Sequence, residues 1–371
     1  MRTLTVLLVA AQVVVLACRP DAHTLLIDLQ VYVAGGAHVL AGAPLYDGGV
    51  LLDLPFVYPP IAAVLFAPLT VVPLPVLKIA WTALQIVLLV LVIRRCGAPA
   101  PLTAPLTAPL TAPLVALLTA AALWLDPVRT TLYLGQINIV LLALVFLDLT
   151  GRRRGFALGL AAAVKLTPLL FVAYLLVKRD HRAAATAAGT FAALTGLGFL
   201  LAPAASVQYW LRGTVFAADR ISAVDGPSNH ALVGTLGRLG VPWPLAGAAL
   251  LAVATLLVAP RLDDLAGLTV VGLGAAAAAP FAWSHHYVWC VPLLVLLVVR
   301  RRWVAVAATL VVTAAVITKL PSPTVGPIPA TGLISLWPDA YVAGFLLLLL
   351  TATRVLRPES RAPRERPARY D

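Results

Sequence analysis

Acidic side chains are scarce in this 371-residue chain, which has 15 Asp and Glu against 27 Lys and Arg. Its two glutamates, Glu359 and Glu365, both stand near the C-terminal end, so carboxylate chemistry anywhere upstream falls to aspartate. Three widely spaced cysteines, Cys18, Cys96 and Cys290, form no CxxC, so neither a disulfide framework nor a thiolate metal site is indicated. There is no Walker loop, kinase signature or HExxH. Gly272-Leu273-Gly274-Ala275-Ala276-Ala277 fits a loose dinucleotide pattern, but no strand precedes it and no acid follows about twenty residues later. Helix packing through small residues accounts for it better. Nothing in the chain reads a nucleotide, so neither ATP nor a soluble nucleotide sugar is expected to supply the energy.

Apolar residues dominate, at 61% with 11% charged and a mean hydropathy of +0.97. Several runs of about 15 to 20 residues carry almost no charge and suit a hydrocarbon core roughly 30 Å thick. A free cytosolic enzyme, a DNA-binding protein and a transmembrane β-barrel, whose strands would alternate, are excluded. The fold expected is an all-α polytopic membrane bundle of ten to twelve helices over residues 1–356. A disordered basic tail, 357–371, is expected beside anionic headgroups.

The net charge of +12 does not point to nucleic acid. Six arginines lie after Thr353, and most other basic residues form clusters between apolar runs: Arg94-Arg95, Arg152 to Arg154, Lys178-Arg179-His181-Arg182, Arg261 and Arg300 to Arg302. Such clusters mark the cytoplasmic side. Placing Arg152 to Arg154 and Lys178 on one side requires residues 155–177 to fold as a hairpin of two half-spans, broken at Lys165-Leu166-Thr167-Pro168. Residues 58–93, with five prolines, must likewise cross an odd number of times, with part of the stretch interfacial or re-entrant. The first apolar run, after Arg2, reads as a retained helix in preference to a cleaved signal. Residues 101–114, PLTAPLTAPLTAPL, read as a linker without chemistry.

This topology leaves outer segments at 19–57, 127–136, 204–243, 282–287 and 319–339, where the unusual polar residues gather. The first carries Asp28-Leu29-Gln30-Val31-Tyr32, then Gly35-Gly36, and ends in Phe56-Val57-Tyr58-Pro59-Pro60. Asp28 reads either as a functional carboxylate near the headgroups or as a solvated loop residue, and the glycines suggest close approach of a ligand to the backbone. In Trp283-Ser284-His285-His286-Tyr287, adjacent imidazoles diverge on a helix and make a poor chelate. They suit hydrogen bonding to a phosphate or sugar hydroxyl, or a structural cap. Lys165 inside an apolar segment needs a cavity or a partner: an anionic ligand, or else snorkelling or pairing with Asp148. Gly135-Gln136-Ile137-Asn138 at a helix entrance, and Asn229-His230-Ala231 with Arg238, complete the set.

Taken in order, DLQVYVAGG, LYDGG, FVYPP, LGQIN, KLTPLL, NHALVG with its later arginine, and AWSHHY resemble the polyprenol-phosphate-mannose-dependent mannosyltransferases of actinobacteria. These are GT-C membrane glycosyltransferases of family 87. The resemblance runs from about Asp28 to Tyr287. It implies transfer of a sugar, mannose in that family, from a polyprenyl-phosphate donor to a lipid or glycan hydroxyl at the outer face of the plasma membrane. Inversion is implied, with Asp28 as general base and His285 or His286 near the acceptor or phosphate. No cofactor is implied, and a metal requirement stays open. Tyr32, Tyr58, Gln136, Asn138, Lys165, Asn229, Arg238 and Trp283 are the expected substrate-binding residues. The competing reading is a polytopic transporter or flippase, which would place polar groups at the midplane and show two related halves.

Overall fold

Prolines set many of the helix starts, because a first-turn residue needs no backbone donor and proline's φ is already helical. A computed structural model of the chain describes residues 1–17, 26–97, 110–151, 154–217, 220, 222–313 and 339–356. Cys18, Arg152 and Arg153, most of the 101–114 repeat, residues 319–338 and the tail 357–371 lie outside the described residues. In chain order the helices are α1 (Arg2–Ala17), α2 (Ile27–Leu40), α3 (Pro60–Phe66), α4 (Leu74–Cys96), α5 (Ala112–Ala122), α6 (Asp126–Leu134), α7 (Asn138–Leu149) and α8 (Phe156–Val164). There follow α9 (Leu169–Val177), α10 (His181–Leu201), α11 (Pro203–Ser206), α12 (Leu232–Arg238), α13 (Pro244–Val258), α14 (Asp264–Ala277), α15 (Cys290–Val299), α16 (Trp303–Thr313) and α17 (Ala340–Val355). A two-stranded hairpin, β1 (Gly49–Leu51) with β2 (Leu54–Pro55), is the sheet among the described residues.

The all-α expectation holds. By length and composition, α4, α10 and Pro244–Arg261 are each able to cross a membrane alone, and α5 with α6 forms a fourth candidate bent by 72°. The remaining apolar helices run 10–17 residues. Residues 58–93 resolve into the short α3, a 3-10 turn over Ala67–Val71 and the long α4, so they contain one full-length span. The first helix packs against α5, and Trp124 donates its indole N–H to the Leu8 carbonyl at 3.2 Å.

Residues 155–177 do fold back on themselves. Their helical arms, α8 and α9, break at 165–168, and Arg154 pairs with Asp180 across the open end at 2.8 Å. Gly155 and Gly159 let α8 approach α10, since a Cβ on either would overlap the backbone around Ala183 and Ala187. In the same way Gly272 admits the Trp289 ring and Gly274 admits Thr255, so the GLGAAA run is a packing surface.

The basic clusters converge on one end of the bundle through a chain of contacts. Arg95 donates to Thr150, Arg154 pairs with Asp180, Lys178 with Asp264 at 3.1 Å, and Arg300 with Asp263 at 2.8 Å and with the Leu356 carbonyl. Asp180 and Asp263 also cap α10 and α14 by accepting from Ala183 and Ala266. Each nine-residue arm of the hairpin is about 13 Å long, which carries Lys165 away from this end.

Candidate active site

The segment that carries Asp28 is helical, not a loop. Asp28 and Tyr32 stand one turn apart on α2 and share a face. Gly35 and Gly36, which in sequence suggested an approaching ligand, are occupied by packing: a Cβ at Gly35 would lie 2.5 Å from the Phe56 ring, and one at Gly36 2.8 Å from the Ala67 backbone. Those contacts seat α2 against the Phe56-Val57-Tyr58 segment and α3.

Across from α2, Gly135 ends α6 in the left-handed region (φ 71°), where a side chain would press on Leu26 and Leu29. Its carbonyl is held by the Trp81 indole at 2.9 Å. This turn delivers Gln136, whose amide nitrogen donates to an Asp28 carboxylate oxygen at 2.8 Å. The other end of the amide accepts from Tyr32 at 2.9 Å and Tyr58 at 3.2 Å, and the two phenols stand 3.0 Å apart. Both phenol donors on Gln136 Oε1 force the NH₂ toward Asp28. Burial pushes the Asp28 carboxyl up from 3.8 to about 6, against the opposing pull of the Gln136 hydrogen bond and the Lys165 charge.

Asp28, Tyr32, Tyr58, Gln136, Lys165, Trp283 and His286 line one cavity of about 360 Å³, floored by Phe281 and Pro280. Lys165 does not pair with Asp148, which instead accepts from the Gly155 and Leu158 amides at 2.7 and 3.2 Å. Its Nζ donates to Asn138 Oδ1 at 3.0 Å and lies 3.0 Å from His286 Nε2. An ammonium has donors only, so His286 Nε2 accepts and its proton belongs on Nδ1. With Lys165 charged, that contact requires His286 to be neutral. Asn138 Nδ2 and His286 Nδ1 are buried without a hydrogen-bond partner among the described residues. Both residues line a second, smaller cavity of about 40 Å³ behind Lys165, room for a few waters.

Of the two adjacent histidines, His286 lines the main cavity. His285 is buried and stacks on Trp283 at 5.5 Å.

Three expected binding residues do not line the main cavity: Asn138 reaches it only through Lys165, and Asn229 and Arg238 stand elsewhere. Asn229 donates to the Val224 and Pro280 carbonyls and accepts from the Ala231 and Ala282 amides, so its side chain is fully spent clamping the 224–231 loop to the segment before Trp283. Arg238 donates to the Gly226 and Asn229 carbonyls and pairs with Asp339. Neither lines the cavity.

Sequence reasoning missed Arg220, Thr167 and Tyr209, which do line it. Arg220 donates to the Tyr46 carbonyl at 2.7 Å, with its guanidinium over the Tyr46 ring. An arginine in a segment assigned to the side opposite the basic clusters was the available signal. The described cavity wall thus combines one carboxylate, two cations, a neutral imidazole and aromatic faces, with no group of three or more metal-ligating side chains among the described residues.

A bundle of apolar helices with a polar chamber remote from its arginine-rich end defines a membrane-integral protein built to handle a polar group at the bilayer. The family model described as Glycosyltransferase family 87 matches residues 56–287, and the chain belongs to that family. It is a membrane glycosyltransferase of the GT-C type and not a transporter. Among its relatives, the polyprenol-phosphate-mannose-dependent alpha-(1-2)-phosphatidylinositol mannoside mannosyltransferase of Mycobacterium tuberculosis is 38% identical over 316 residues, 76% of this chain and 73% of that protein. The Mycolicibacterium smegmatis protein of the same description is 38% identical over 74% of this chain and 71% of its own length. The alpha-(1-2)-phosphatidylinositol pentamannoside mannosyltransferase of Mycolicibacterium smegmatis is 34% identical over 72% of this chain and 68% of its own. No solved structure matches the chain.

Proposed function

We propose that this enzyme transfers mannose from a polyprenyl-phosphate-mannose donor to a hydroxyl of a glycolipid acceptor of the phosphatidylinositol mannoside kind, at the extracytoplasmic face of the plasma membrane. The observation that carries the reading is Asp28. It is one half-buried carboxylate, oriented by Gln136 and raised toward neutrality, in a chamber whose other charges are cationic. Ionised above about pH 6, it accepts the proton of the attacking hydroxyl. The acceptor oxygen bonds to the anomeric carbon as the bond from that carbon to the phosphate oxygen breaks, with inversion. The departing polyprenyl phosphate takes the electron pair, and Lys165 and Arg220 stabilise its charge. His286 brings its imidazole to the chamber wall, and Asn138, outside that wall, steadies Lys165 by accepting from its Nζ. Trp283 and Phe281 supply apolar faces for the sugar ring or the first isoprene units.

A lipid-phosphate sugar carries its own leaving group, which agrees with a chain that reads no nucleotide. The basic clusters gather at the opposite end, and that distribution supports a cytoplasmic assignment for them and an outward-facing chamber. The test is incubation of the purified protein with radiolabelled polyprenyl-phosphate sugars and a panel of phosphatidylinositol mannosides and other lipid and glycan acceptors. The reading expects labelled product from the mannose donor and a mannoside acceptor. Transfer from a nucleotide sugar, or from a different polyprenyl-phosphate sugar alone, would overturn it.

A further inference from the structure

A further cavity, of about 640 Å³, is a groove between α14, α15, α16 and α17 that shares no lining residue with the Asp28 chamber. Its walls are apolar, built from side chains such as Leu273, Leu293, Leu297, Phe345 and Leu348. The hydroxyls along it are already spent: Thr309, Thr313 and Thr351 each donate to the carbonyl one turn back, at 2.7–2.8 Å. The groove therefore has nothing to offer a polar ligand along its length. One end differs, because Arg301, Arg302 and Trp303 form it.

Among the described residues, charge accounting at that end leaves a surplus. The two nearby acids are taken, Asp263 by Arg300 at 2.8 Å and Asp264 by Lys178 at 3.1 Å. Arg300 also holds the Leu356 carbonyl, which brings the last turn of α17, with Arg354, to the same place. Arg301 and Arg302 have no acidic partner among the described residues, and Arg302 Nε is buried without any hydrogen-bond partner. A buried guanidinium edge without a partner is costly and calls for an anion. A free anion would satisfy the arginines and leave the groove bare. A molecule carrying both an anionic head and an aliphatic chain satisfies both, and Trp303, 60% exposed, is the residue type that settles at headgroup level.

We infer that this groove is a binding site for an anionic phospholipid, with its phosphate between Arg301 and Arg302 and one acyl chain lying along α16 and α17. The site is separate from the Asp28 chamber, so the lipid is a resident of the fold and not the sugar donor.

The test uses the full chain, purified in mild detergent and exposed to vesicles of equal parts phosphatidylglycerol and phosphatidylcholine, with retained lipid counted by native mass spectrometry. Retention of phosphatidylglycerol over phosphatidylcholine is expected, falling about fivefold for each of Arg301→Gln and Arg302→Gln, the equivalent of about 1 kcal/mol per arginine. Ala308→Phe, which fills the groove, should abolish retention of both lipids at an unchanged elution volume. Equal retention of the two lipids, or unaltered preference in the arginine variants, would overturn the site. So would a photo-cross-linker at position 308 that captures another segment of this chain in place of lipid. The arginine variants alter the rim alone and decide the matter even if Ala308→Phe fails to fold.

Discussion

The two ends of this bundle use similar polar residues in opposite ways. At the basic end, Arg154, Lys178 and Arg300 meet carboxylates in ion pairs, the most open to water being Lys178 with Asp264, whose side chains are 32% and 54% exposed. At the chamber end, Lys165 is satisfied by an amide and an imidazole, and Asp28 by an amide. Asn138 Nδ2 and His286 Nδ1 have no hydrogen-bond partner among the described residues. Pairs of the first kind orient and solubilise a membrane protein but contribute little energy each. Groups of the second kind are held in place without being neutralised, which keeps their charge available for a ligand. The contrast teaches that partner chemistry, more than residue type, marks where a ligand can be held.

Substitutions at the two ends should separate accordingly. Lys165→Met is expected to lower kcat by about 100- to 1,000-fold, the usual cost of removing a donor from a developing negative charge, in steady-state transfer assays. Loss of expression in place of loss of turnover would make Lys165 a structural residue and blur the comparison. Asn229→Ala, which removes four hydrogen bonds from a buried clamp, should cost about 3 kcal/mol of stability, read by denaturation, with KM little changed in the surviving enzyme. Gln136→Leu should cost about tenfold in kcat through lost orientation of the base. It should also move the acidic limb of the pH–rate profile. In the native enzyme, activity is expected to fall as Asp28 is protonated below about pH 6. The Gln136 amide favours the charged form, so its removal shifts that limb to higher pH. The smallest effect belongs to Lys178→Gln at the basic end, within about 1 kcal/mol in stability and without change in pH profile.

Much of this arrangement is legible in the sequence because the bilayer penalises polar residues that have no purpose. Lys165 beside a helix-breaking Pro168 announced both the hairpin and a buried cation, and the basic clusters fixed which helix ends belong together. Gln136 and the His285-His286 pair stood out as polar residues at boundaries of apolar runs. What stayed hidden depends on contacts far apart in the chain. Asn229 and Arg238 look like ligand donors until Pro280 and Asp339, 51 and 101 residues away, are seen to occupy them. The helix over 27–40 was masked by Gly35-Gly36, which disfavour helix locally and are retained because Phe56 and Ala67 press against them. Choosing His286 over His285 required the position of Lys165, 121 residues earlier.

The measurement that bears most directly on the chamber as the seat of chemistry is mannosyl transfer from polyprenyl-phosphate-mannose by the Asp28→Asn enzyme, followed across pH. Asparagine keeps the shape of the side chain and removes the base, so turnover should fall at least about 100-fold with expression intact, and any residual rate should lose the limb near pH 6. Turnover at the native level with an unchanged pH profile would contradict the assignment of Asp28 as the base.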